Sequence, residues 1–99
     1  MKKKLLSDDL NSLYKAILLL KNEEELGNFF EDLCTINELK DMSQRFEVAQ
    51  LLNEGLKYSD VTEKTGASTA TISRVNRSLE NGADGYKTVL ERYNKYKNK

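Results

Sequence analysis

Apolar residues recur at three- and four-residue spacing along most of the chain, the period of helices that each bury one stripe. The first stripe is Leu10, Leu13, Tyr14, Ile17, Leu18 and Leu20, joined by Leu19; Ser7 precedes it as N-cap, with Asp8 and Asp9 in the first turn. Asn22 starts a second helix with Glu25 at capping-box spacing, and Leu26, Phe29, Phe30 and Leu33 form its buried face. Thr35-Ile-Asn-Glu38 is a capping box for a third helix, which runs to about Gly55 with Leu39, Met42, Phe46, Ala49, Leu52 and Leu56 inward. Ser59 is the expected cap of a short fourth helix, Asp60 to Thr65, ended by Gly66. Ser68 caps a fifth, closed by Asn81-Gly82. Asp84-Gly85 turns the chain into a sixth, carrying Tyr86, Val89, Leu90, Tyr93 and Tyr96. Proline, which would break such helices, is absent. The pattern predicts an all-α fold of six helices with short connections.

The first stripe is wider than one partner helix requires. Seven leucine, isoleucine or tyrosine positions crowd a single helix of a 99-residue chain, more apolar surface than one small monomer hides. The pattern allows a tight monomeric core, and it fits better an obligate dimer whose N-terminal helices interlock.

Charge changes the picture further. Lys/Arg and Asp/Glu balance at 16 each, yet residues 1–55 carry seven bases against eleven acids, and residues 56–99 carry nine against five. The basic C-terminal half permits a polyanionic partner. The chemistry of catalysis is missing: there is no histidine, no glycine-rich phosphate loop, and one cysteine, Cys34, on an apolar helix face. Zinc has no ligand set, a disulfide has no second thiol, and an enzyme is not expected. "MKKKLL" resembles the start of a signal peptide, but Ser7, Asp8 and Asp9 interrupt any apolar stretch, and no window is long enough for a membrane span. A reducing, cytoplasmic location is the expectation.

The segment "TEKTGASTATISRVNRSLENG" carries the functional signal. Two short helices meet at Gly66, which supplies positive φ without strain. Val61, Ala67, Ile72 and Val75 stand at the offsets a helix-turn-helix needs for its two helices to touch. At 100° per residue, Ile72, Val75 and Leu79 share one side of the fifth helix, and Ala70, Ser73, Arg74 and Arg77 the other, with no acid before Glu80. Hydroxyls of Ser68, Thr69, Thr71 and Ser73 suit base edges or phosphate, Ala70 suits a thymine methyl, and the arginines suit phosphate. Residues 1–99 then read as one domain: dimerisation helices over 1–56, a helix-turn-helix over 57–82 and a C-terminal helix over 83–99.

"TGASTATISRVNRSL", with "TINELKDMSQRFEVAQLL" upstream, resembles the Trp repressor family, in particular its Gram-positive relatives of unassigned effector. The resemblance covers roughly residues 30–80. It implies an intertwined all-helical homodimer that binds a two-fold operator in double-stranded DNA and represses transcription. By position, Thr69, Ala70 and Ser73 match residues that approach bases, and Ser59 and Thr62 match contact positions where the family often has basic residues. Lys64 and Arg77 supply charge instead.

In the Trp repressor itself, two arginines hold a tryptophan corepressor. Arg74 matches one of them. Arg45 matches the other with one residue deleted between the third and fourth helices, and Thr35 matches a backbone contact. The pair suits a carboxylate, which leaves an unidentified small-molecule corepressor open, but no cofactor is the expectation, the arginines serving simple phosphate contact or ion pairs to Glu47 or Asp41. Where the tryptophan binders have glycine after the fifth-helix arginine, this chain has Val75. That departure implies no response to tryptophan. The rival reading is a helical protein-interaction adaptor docking through the acidic run Glu23–Glu38 and the tyrosine-bearing sixth helix, without DNA.

Overall fold

The computed structural model describes residues 7–98, and among them the secondary structure is six helices and no strand. They are α1 (Asp8–Leu18), α2 (Glu23–Leu33), α3 (Ile36–Asn53), α4 (Tyr58–Thr65), α5 (Thr69–Asn81) and α6 (Gly85–Lys97). Two compact units divide the chain, the first ending at Leu39 and the second beginning at Lys40.

In the first unit, local hydrogen bonding sets the helix starts. The Ser7 hydroxyl accepts from the Leu10 N–H at 3.1 Å, and Asn22 Oδ1 accepts from the Glu25 N–H at 2.9 Å. Thr35 and Glu38 form the reciprocal box, Glu38 N–H to Thr35 Oγ1 at 3.1 Å and Thr35 N–H to Glu38 Oε1 at 2.8 Å. At α2 the reach-back differs from the expected box: Glu25 Oε1 accepts from the Lys21 N–H, one residue before the cap. Caps of this kind are each worth about 1 kcal/mol. The two helices bury little. Neither α1 nor α2 has a fully buried residue, and Leu18, Leu19 and Ile36 are 82%, 78% and 72% exposed.

The second unit holds the core. Val48 and Ala49 of α3, Val61 of α4, Ala67 of the turn, Ile72 and Val75 of α5, and Leu90 of α6 lose nearly all contact with water. Phe46, Leu51, Leu52, Leu56, Leu79 and Tyr86 pack around them. The inward set read for α5 therefore holds, but the readings of α3, α4 and α6 need correction. Val48 was absent from the inward set of α3 yet is fully buried, whereas Phe46, Leu52 and Leu56 are only half-buried. Val48 and Ala49 lie about 100° apart on the helix, so α3 presents a broader arc to the core than one stripe implies.

Ser59 does not cap α4. The helix begins at Tyr58 with Lys57 as N-cap, and the Val61 N–H already bonds the Lys57 carbonyl at 3.0 Å. Val61 must reach the core, and helical bonding starts early enough to place it there; Ser59 is left exposed in the first turn. On α6, Leu90 is buried but Val89 and Tyr96 of the same expected stripe stay exposed. Tyr93 instead joins an aromatic row, 5.8 Å from Phe46 and 6.2 Å from Tyr96, with Lys97 Nζ 5.3 Å above its ring.

Two glycines mark the ends of this arrangement. Gly66 caps α4 at φ +75°, and a Cβ there would meet nothing within 4 Å. At Gly82 φ is negative, but a Cβ would run into the Ser78 carbonyl, which also accepts the Gly82 N–H. Gly66→Ala is expected to cost about 1–2 kcal/mol, the left-handed penalty alone. Gly82→Ala should cost more, because backbone must move. Ile72→Ala should cost roughly 2–5 kcal/mol by opening a cavity. Urea unfolding of the three variants, compared at one protein concentration, checks the order.

Candidate nucleic-acid interface

The interface is built on a three-residue turn. The Gly66 N–H returns to the Thr62 carbonyl at 2.8 Å, Ala67 drops into the core at 2% exposure, and Ser68 opens α5 from extended backbone. The Ser68 Oγ accepts from the Thr71 N–H and its hydroxyl donates to Thr71 Oγ1, both at 3.1 Å. Ile72 and Val75 then fix the rotation of α5 about its axis, because both must face the core. What remains outward follows from that rotation. Ser68, Thr69, Ala70, Arg74 and Arg77 are exposed, and Thr71 and Ser73 half-buried. On α4, Ser59, Thr62 and Lys64 are exposed as well.

The electrostatics of this edge are simple. The first turn of α5 has no acidic residue, so the positive end of the helix is left uncompensated by side chains. Among the described residues the ion pairs are Lys87–Asp84 at 3.7 Å and Lys95–Glu91 at 3.6 Å, and neither uses an arginine of α5. Arg74 and Arg45 thus make no salt bridge to Asp41 or Glu47 among those residues. The edge presents the Thr69 hydroxyl, a methyl at Ala70 and two guanidinium groups. Ser68 and Thr71 are partly committed to each other.

Beside it lies a cavity of about 300 Å³ lined by Asp41, Gln44, Arg45, Ala70, Thr71 and Arg74. It brings together Arg45 and Arg74, the two arginines singled out as ligand candidates. Thr35, the third candidate, belongs to the first unit, where its hydroxyl and N–H serve the α3 capping box. Val75 lies in the core rather than in the cavity wall. Asp41 and Gln44 were not foreseen as lining residues. Their spacing with Arg45, one helical turn on α3, was the available signal. Gln44 also bonds outward, its Nε2 donating to the Thr65 carbonyl at 3.1 Å.

Among the described residues no group of three or more His, Cys, Asp or Glu could hold a metal ion, and no helix is long and apolar enough to cross a membrane.

Comparison with known proteins agrees with this arrangement. The profile of the Trp repressor protein family matches residues 8–94. A crystal structure of a TrpR-like protein from Eubacterium eligens ATCC 27750 superposes with a TM-score of 0.87 at 58% identity, covering 91% of this chain and 93% of that one. The uncharacterized protein YerC of Bacillus subtilis (strain 168) is 52% identical over 89 residues, 90% of this chain and 86% of its own. A Trp operon repressor homolog of Chlamydia caviae is 33% identical over 77 residues, 77% of this chain and 76% of its own. The chain belongs to the Trp repressor family, whose members regulate transcription and are not enzymes.

Proposed function

We propose that this protein is a sequence-specific DNA-binding repressor that acts as a homodimer on a two-fold operator, through α4, the Gly66 turn and α5 as a helix-turn-helix. The observation that carries the reading is the outward edge of α5. It is exposed, acid-free through its first turns, and holds two arginines without an ion-pair partner among the described residues. Thr69 and Ala70 at the N-terminal end are small enough for the backbone to approach the floor of a major groove. Ser68 and the first amides of α5 suit a phosphate. Arg74, Arg77 and Lys64 neutralise the strand on either side. Acids at such an edge would repel DNA, and an adaptor would have no reason to exclude them.

A second copy of the chain is the natural cover for the first unit. Leu18, Leu19, Leu33 and Ile36 expose much of their apolar surface within one short unit, and concentrated apolar exposure favours an interface. Two copies related by a two-fold axis also supply the two reading edges that a symmetric operator requires.

A small ligand other than tryptophan is the further part of the reading. Five of the six residues around the cavity are polar, and Arg45 and Arg74 together suit a carboxylate. Of the six, only Ala70 has a wholly apolar side chain. Val75, the departure that pointed away from tryptophan in the sequence, lies in the core outside the cavity wall, so the polar lining is what supports this part of the reading.

Four measurements test the proposal. Selection from a random duplex pool should return a two-fold symmetric sequence with half-sites about one helical turn apart. Affinity for it should fall steeply with salt, and Arg77→Ala should lower the slope of log K against log salt by about one for each arginine removed. Loss of neither affinity nor slope in the Thr69→Ala, Arg77→Ala double variant would favour the adaptor reading. Sedimentation at micromolar concentration should give twice the 11.4 kDa chain mass, and Leu18→Asp with Leu19→Asp should shift it toward the monomer. Calorimetry with L-tryptophan should show no binding at micromolar concentration.

A further inference from the structure

We infer that Gln44 is the positioning residue that aims the reading edge of α5, by fixing the turn in front of it from α3. The inference rests on the DNA-binding reading above.

The side-chain hydrogen bonds among the described residues join positions no more than four apart, with one exception. That exception is the Gln44 side chain bonded to the Thr65 carbonyl, across 21 positions of sequence. Thr65 is the last residue of α4, and carbonyls at a helix C-terminus have no intrahelical donor. Gln44 supplies the missing donor from a different helix.

Thr65 is also a junction. Its hydroxyl donates to the Val61 carbonyl at 2.7 Å and accepts from the Ala67 N–H at 3.1 Å. One residue therefore holds the end of α4, the start of the segment leading to Ser68, and the α3 amide. These bonds are partly buried, where a hydrogen bond is stronger and its loss costlier than at the surface.

The core contacts that attach α4 and α5 to α3 are apolar. Contacts among Val48, Ala49, Val61, Ala67 and Ile72 are strong but non-directional, and they leave small slides and tilts of α5 inexpensive. A single directional bond removes that freedom. Reading bases is sensitive to tilt in a way that resting on phosphates is not. The Gln44 tie should therefore affect specificity rather than general affinity for DNA.

The test uses the full chain with Gln44→Met, an apolar near-isostere, and Gln44→Leu as the second variant. Both keep volume and remove the donor. Affinity for the selected operator should fall roughly tenfold in each. Affinity for random-sequence duplex and the salt slope should stay at the wild-type values, because no phosphate contact is removed. Exchange of the Ala67 amide hydrogen should speed up, which reports the tie without any DNA present.

A lower melting temperature with an unchanged operator-to-random ratio in the folded protein would mean a merely structural role and overturn the inference. So would an Ala67 amide exchanging at the wild-type rate. A wild-type chain that selects no operator overturns the DNA-binding reading itself, and this inference with it; wild-type selection with an unaltered variant ratio overturns the inference alone.

Discussion

Ile72 and Val75 lose their water only because Val61 and Ala67, on either side of Gly66, and Leu90 on α6 close around them. That small apolar contact sets the rotation of α5, and nearly every functional statement about the second unit depends on the rotation. A turn of 100° in either direction would bury Thr69 or Arg74 and expose a valine. The penalty for that, about 1.5–3 kcal/mol for each large side chain returned to water, is what makes the outward edge a fixed property of the fold. The polar residues do not choose to face solvent. They are left there by the residues that cannot.

The same logic separates the two units. In the second, apolar residues find each other within the chain and the polar edge is the surplus. In the first, apolar residues are themselves the surplus, with Leu18, Leu19 and Ile36 largely in water although their helices are well capped. Caps give a helix its ends but not its burial, and most helical stability comes from packing one face. The first unit thus has sound helix ends and little packing energy of its own among the described residues.

Most of the helix boundaries were legible in the sequence because capping is local: a hydroxyl or amide and the N–H three residues later decide it. Ser59 misled because a hydroxyl before an acid reads as a cap, while the actual start was set by the need to deliver Val61 to a core assembled from four segments. Val48 was missed for a similar reason, since a single-stripe reading of α3 cannot anticipate a helix covered over a wide arc. Period and charge place Ala70, Arg74 and Arg77 on the outward edge of α5, where the structure has them, but they also place Ser73 there, which is half-buried. The cavity was half legible. Its arginines stood out by their chemistry, but Asp41 and Gln44 are ordinary polar residues on α3 until folding places them opposite Ala70, Thr71 and Arg74. The bond from Gln44 to Thr65 had no local signature at all.

Every described helix except α5 has an acid at its N-cap or in its first turn: Asp8, Glu23, Glu38, Asp60 and Asp84 serve the others. Such a carboxylate adds some 0.3–1 kcal/mol at a helix start. Leaving it out of α5 keeps the free protein a little less robust than its own design elsewhere would allow. Mutational drift toward thermal hardiness alone would fill Thr69 or Ala70 with a carboxylate, and the helix would gain persistence while its approach to a polyanion was shut. The bare start of α5 is thus a place where endurance and recognition pull against one another.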